Sequence, residues 1–297
     1  MTMAEADPAR PVSAAKLAGG ELTLRVLSAL VLAPLAVGVA YVGGWLFVAF
    51  WGFAAIGVLW EWTSLVAKPD QKAVFMTGGA SVVLAVALTG AVGNVEDGVH
   101  ETRLLGAMTV LAMGMLGVPA LAPKQHRAWV AAGIPYAGLI AIAPILLRSD
   151  ADKGFAATIF LFAVVWASDI VAYFIGRTIG GPKLAPQISP KKTWSGAVGG
   201  VAAAIAVALV FAQPLTLTSG LALGSIAVML SVVAQAGDLF ESALKRRFGA
   251  KDSGHLIPGH GGLMDRLDGF VTAAAVATLI GLARGGLEAP ARGLMVW

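Results

Sequence analysis

Asp238 and Glu241 stand three residues apart in Gln235-Ala236-Gly237-Asp238-Leu239-Phe240-Glu241-Ser242-Ala243-Leu244-Lys245-Arg246-Arg247. Asp265 and Asp268 repeat that spacing at the end of Lys251-Asp252-Ser253-Gly254-His255-Leu256-Ile257-Pro258-Gly259-His260-Gly261-Gly262-Leu263-Met264-Asp265-Arg266-Leu267-Asp268. On a helix, Asp238, Glu241, Ser242 and Lys245 form one polar stripe, and Asp265 and Asp268 lie one turn apart. Two acid-bearing helix ends flanking a short loop can bring carboxylates together from opposite sides. Hard-oxygen ligands of that kind hold Mg²⁺ while phosphate oxygens and water take its remaining positions. The basic residues between them supply countercharge, and Gly259, Gly261 and Gly262 let the backbone turn tightly beside a ligand. A merely solvated loop would not explain why acids as well as bases crowd both ends.

A second group precedes it. Trp166-Ala167-Ser168-Asp169-Ile170-Val171-Ala172-Tyr173-Phe174-Ile175-Gly176-Arg177 sets Asp169, Tyr173 and Gly176 on one helical face. Asp169 sits in an apolar run, where a charge is disfavoured unless paired or hydrated, so it is expected to face the protein interior. It serves either a metal or substrate, or a hydrogen bond between helices. Farther on, Pro182-Lys183-Leu184-Ala185-Pro186-Gln187-Ile188-Ser189-Pro190-Lys191-Lys192-Thr193-Trp194-Ser195-Gly196 places two lysines just before the start of a helix. Free backbone N–H groups there, with two ammonium groups, make an anion site. The lysines are equally read as ordinary positive residues of a membrane boundary.

The elements that must position these groups are membrane helices. Of 297 residues, 58% are hydrophobic and 13% charged, with a mean hydropathy of +0.81, whereas soluble domains carry about a quarter charged residues. Apolar stretches at 25–42, 44–62, 73–93, 104–121, 128–147, 155–177, 194–212, 217–240 and 267–283 predict about nine spans in an all-α, polytopic fold. Residues 1–22 read as a polar tail and 23–297 as a single membrane domain. Gly38-Val39-Ala40 has the small residues of a processing site, but another apolar run follows at once, so no cleavage is expected. With no cysteine, thiolate metal sites, disulfides and a cysteine nucleophile are excluded. In the first half only Glu61, between Trp60 and Trp62, is unusual, and an interfacial aromatic belt accounts for it as well as a site does. With the N-terminus inside, 16 of the 21 lysines and arginines fall on the inner side and 5 on the outer, which places both polar C-terminal loops in the cytoplasm.

From Ser242 to Asp268 the sequence resembles the phosphatidate cytidylyltransferase signature without departure: Ser-x-Leu-Lys-Arg, four residues, Lys-Asp-x-Gly, then Pro-x-His-Gly-Gly-x-x-Asp-Arg-x-Asp. The Asp169–Tyr173 and Ile188–Gly196 segments are similar to two further motifs of that family, so the motif-bearing part is 166–270. The resemblance implies transfer of the cytidylyl group of CTP to phosphatidic acid. It also implies a homodimer in the bilayer of a bacterial plasma membrane, with no nucleic-acid partner and with Mg²⁺ as cofactor beside room for a second cation. Asp238 and Asp265 would be the metal ligands at the cytoplasmic ends of the C-terminal helices. Lys191, Lys192, Lys245 and Arg246 would contact phosphates. Asp169, Tyr173, Asp252, His260, Arg266 and Asp268 would complete the site, with Ser189 and Lys251 among the substrate-binding residues and Asp169 and His260 among the catalytic ones.

Two other readings compete. A CTP-dependent lipid kinase would pass the γ-phosphoryl group to a lipid alcohol, but the full signature argues against it. An ion-coupled transporter would use Asp169, Asp238 and Asp265 near broken helices, yet no pair of interrupted spans is found in corresponding halves.

The charge bias generates a test of orientation. A cysteine introduced at Gln187 should resist a membrane-impermeant thiol reagent in intact cells and react once the cells are opened. Labelling in intact cells would reverse the orientation.

Overall fold

A polar backbone in hydrocarbon has to satisfy its N–H and C=O groups within itself, and this chain does so almost wholly with helices. The computed structural model describes residues 30–68, 70–91, 99–212, 216–254, 256 and 261–297. Helix α1 (Leu30–Val42) leads into α2 (Gly44–Val66), α3 (Gln71–Gly90), α4 (Val99–Gly117), α5 (Arg127–Ser149) and α6 (Gly154–Thr178). After a hairpin of β1 (Lys183–Ala185) and β2 (Ser189–Thr193) come α7 (Trp194–Phe211), α8 (Leu217–Arg247), α9 (Met264–Gly285) and the short α10 (Pro290–Met295). Among the described residues eight helices are long and apolar enough to cross a membrane. α1, the ninth expected span, is shorter here because residues 25–29 lie outside the described residues. Between α1 and α2 the chain turns at Gly43 and Gly44, both at positive φ (68° and 55°), a backbone state that glycine adopts without a Cβ clash.

Two features depart from the expected pattern. The segment 178–193 is not plain loop but carries the antiparallel β1–β2 pair, with Lys183 opposite Thr193 and Ala185 opposite Ser189. Helix α8 also continues past residue 240 to Arg247. Its last turn holds Lys245, Arg246 and Arg247, cations that the carbonyl end of a helix favours. Glu241 and Lys245 are thus helical, as the polar stripe from Asp238 to Lys245 expects.

Helices in lipid gain little from apolar burial against one another, so close backbone approach through small residues holds them together. α6 and α7 cross in this way: a Cβ at Gly200 would lie 2.9 Å from the Ser168 carbonyl oxygen. Behind that crossing, Ser168 and Ser231 share a hydrogen bond of 2.6 Å between α6 and α8. The core lies between α2, α5, α6 and α9. There the Trp51 ring stacks on Phe270 at 4.8 Å, and Thr278 of α9 donates to the Ala143 carbonyl of α5 at 2.8 Å. Trp62 Nε1 donates to the Trp129 carbonyl at 2.9 Å, pinning the end of α2 to the start of α5. At the opposite end of the bundle Arg148 Nε donates to the Ala40 carbonyl at 2.6 Å, and Asp150 accepts the Arg292 backbone N–H at 2.8 Å.

The α6–α7 crossing should be intolerant of bulk. Gly200→Val should destabilise the protein by about 1–3 kcal/mol, as overpacking does, read as a lower Tm in detergent micelles, with Gly200→Ala falling between it and the parent.

Candidate active site

α8 and α9 approach so closely at Gly237 and Gly269 that a Cβ at Gly237 would lie 2.7 Å from the Asp268 carbonyl, and one at Gly269 2.9 Å from that of Ala234. This crossing sets the neighbouring acids side by side. One turn farther along α8, Glu241 is fully buried, and its Oε2 lies 2.7 Å from the Lys245 ammonium. The same ammonium donates to Asp265 Oδ1 at 2.5 Å. Lys245, 9% exposed, is thus shared by a carboxylate from each helix.

Asp265 also organises the connection between the two helices. Its Oδ2 accepts the backbone N–H groups of Ser253 at 3.1 Å and Gly262 at 2.9 Å. Glu61, arriving from α2, does the same work one step away. Its carboxylate accepts Ser253 Oγ at 2.9 Å, Leu263 N at 2.9 Å and Met264 N at 2.8 Å. These two carboxylates take up backbone donors at the start of α9, a place that otherwise attracts an external anion.

The hairpin closes the other side. Thr193 leaves β2 in an extended conformation and caps α7, its Oγ1 accepting the Gly196 N–H at 3.2 Å. The preceding Lys192 meets Asp238 in an ion pair. Asp238 also receives Ser242 Oγ at 3.4 Å. Asp169 lies within electrostatic reach of Asp238 and Lys192, and Asp268 within reach of Asp238, Glu241 and Asp169. Above them the Tyr136 hydroxyl is buried without a hydrogen-bond partner among the described residues, its ring between Trp62 and Phe240 at 5.0 and 6.3 Å.

The model of the cytidylyltransferase family matches residues 23–282. This chain belongs to that family. A phosphatidate cytidylyltransferase of Brucella abortus is 43% identical over 263 residues, covering 88% of this chain and 93% of the relative. One from Haemophilus influenzae is 31% identical over 283 residues, covering 85% and 96%. One from Bacillus subtilis is 42% identical over 128 residues, covering 43% and 48%.

Of the residues expected in a cytidylyltransferase site, Asp169, Lys192, Asp238, Lys245, Asp265 and Asp268 come together in one cluster. Asp169 is on the α6 side of this cluster, within electrostatic reach of Asp238, Asp268 and Lys192, and its residue remains accessible. Lys191, Lys251, Asp252 and Arg266 are exposed around the cluster, with Ser189 half-buried in β2. Arg246 is exposed and turns back to the Ala250 carbonyl at 3.2 Å. Tyr173 points away to Arg177, from which its hydroxyl accepts a bond of 2.9 Å. His260 lies outside the described residues. Glu241, noted in the stripe, and Glu61, left open between site and aromatic belt, complete the cluster together with Ser253 and Tyr136, which the sequence did not single out. A Glu in an apolar run carries the same burial cost as Asp169, and that cost favours the site reading of Glu61 over the aromatic belt.

The side chains suit a hard cation in chemistry. Asp169, Asp238, Glu241, Asp265 and Asp268 offer only carboxylate oxygens, and the two ammonium groups paired with them, Lys192 and Lys245, leave the acids in excess. Among the described residues no three acids or histidines converge tightly enough to hold a metal by themselves, so further ligands would come from phosphate or water.

Lys245→Met leaves Glu241 buried without its cation. Removing one partner of a buried pair costs about 3–5 kcal/mol, and Glu241→Gln in the same chain should recover part of that loss. Thermal unfolding of the two variants in detergent micelles checks both expectations.

Proposed function

We propose that this chain transfers the cytidylyl group of CTP to phosphatidic acid, giving CDP-diacylglycerol and pyrophosphate. The observation that carries the reading is the convergence of acids and bases from the motif-bearing part, 166–270. Asp238 meets Lys192, and Asp265 meets Lys245, at the junction of α8, α9 and the β-hairpin. Family membership and the relatives' activity support it.

Both substrates are polyanions, and their repulsion has to be screened before they react. Lys192, released from Asp238 to a phosphate, and the exposed Lys191, Lys251, Arg246 and Arg266 at the rim would hold the phosphates. No protein nucleophile is needed, because the phosphate monoester of phosphatidic acid is largely doubly ionised near neutral pH, with a second pKa of about 6 by analogy with phosphorylated side chains. Its oxygen attacks the α-phosphorus in line, forming a new P–O bond while the α–β phosphoanhydride bond breaks and pyrophosphate departs. Positioning and charge stabilisation supply the rate. Asp238 and Asp265 are the residues that would hold Mg²⁺, which when bound neutralises phosphate charge as a Lewis acid. Lys245 fixes the direction of the Asp265 carboxylate, and Glu241 in turn fixes Lys245.

The same reading carries a homodimer in a bacterial plasma membrane, with residues 178–193 and 241–266 cytoplasmic, the side on which CTP is found. The excess of 16 basic residues over 5 supports the orientation.

Purified protein given Mg²⁺, phosphatidic acid and α-labelled CTP should place label in a chloroform-soluble lipid and release pyrophosphate in equal amount. Label from γ-labelled CTP should stay in the pyrophosphate; its appearance in lipid would make the chain a kinase instead. Asp238→Asn and Asp265→Asn should abolish transfer with membrane insertion intact, while Lys192→Ala should chiefly raise KM for CTP.

A further inference from the structure

Glu61 belongs to the half of the chain that carries none of the signature, yet its side chain is buried in the signature's own loop. It is 1% exposed, and its three hydrogen bonds reach Ser253 Oγ, Leu263 N and Met264 N, some two hundred residues away in sequence. Room for it is made by glycine. A Cβ at Gly254 would lie 2.6 Å from Glu61 Oε1, and one at Gly262 2.7 Å from Oε2. The backbone that Glu61 holds is also the backbone that holds Asp265, whose Oδ2 accepts Ser253 N and Gly262 N. Ser253 is thus tied twice, by its hydroxyl to Glu61 and by its amide to Asp265. Met264 is bonded to Glu61 and is the residue directly before Asp265.

We infer that Glu61 is a positioning residue for the cytidylyl-transfer site: it docks Ser253, Leu263 and Met264 on α2 and thereby fixes the Asp265 carboxylate against Lys245. The inference rests on the function proposed above. Glu61 makes none of the phosphate contacts assigned to the hairpin, so its effect belongs to turnover rather than to CTP binding. Groups that orient a functional carboxylate from behind change activity by about 10- to 100-fold when removed.

The test uses the full-length protein in micelles and compares Glu61→Gln with the parent in two readouts. Amide hydrogen exchange should accelerate at residues 253 and 262–264 while α5 and α6 keep their protection. With α-labelled CTP, kcat should fall about tenfold or more at an unchanged KM for CTP. A parental kcat overturns the inference, and so does a fall in kcat accompanied by loss of protection throughout α5 and α6, which marks general unfolding. Should Glu61→Gln not fold, Ser253→Ala removes one of the three bonds. A reduced kcat at an unaltered Tm then supports the inference, and a parental kcat overturns it. Failure of the parent itself to transfer the α-label counts against the proposed function, whereas the exchange result at 253 and 262–264 reads the docking independently of any turnover.

Discussion

The Lys245 ammonium, held between Glu241 Oε2 at 2.7 Å and Asp265 Oδ1 at 2.5 Å, is the contact on which the site depends. A lone charge in a poorly hydrated bundle is disfavoured by several kcal/mol; three charges sharing one proton-rich centre are tolerated because each answers another. The pairing joins the last turn of α8 to the first of α9, and Asp238 and Asp268 are carried by the same two helices. Asp238 lies about two turns back from Lys245 along α8, Asp268 about one turn on from Asp265 along α9. Taking Lys245 away would disturb a geometry as well as a charge balance.

That contact is possible only because the helices carrying it come very close. Gly237 and Gly269 remove the side chains that would hold α8 and α9 apart, and the same device at Gly200 lets α7 approach α6 and deliver the hairpin. Backbone proximity through small residues, rather than apolar burial, is the usual adhesive within a bilayer. Here it also determines chemistry, since a wider crossing would separate the acids. The aromatic packing of Trp51, Phe162 and Phe270 lies deeper along the same helices and gives them a rigid lateral neighbour.

Much of this was legible in the sequence because hydropathy and local spacing are local properties. The apolar runs anticipate most ends of the long helices to within about a turn, and the i, i+3, i+4, i+7 stripe from Asp238 to Lys245 anticipates one face of α8. What escaped was set by partners. The end of α8 is extended by charges that a hydropathy count reads as the start of a loop. The cost of Asp169 was visible in the sequence, but Asp238 and Lys192, which lie within its electrostatic reach, belong to other elements. Glu61 resembled a boundary residue between tryptophans, and only folding brings Ser253, Leu263 and Met264 to it.

Lys191 and Lys192 were indistinguishable as sequence, yet one is exposed and the other meets Asp238. The difference comes from β2. Between the pairs Lys183–Thr193 and Ala185–Ser189, β1 advances two residues while β2 advances four, and the surplus falls across Pro190, Lys191 and Lys192. A bulge of this kind re-aims the side chains it contains, and a slip of one residue in a strand exchanges its two faces. The length of this short strand therefore acts as a selector, deciding which of two chemically identical neighbours confronts the acids. Evolution could retune the entrance by adding or deleting a residue in the hairpin, with every charged side chain left in place.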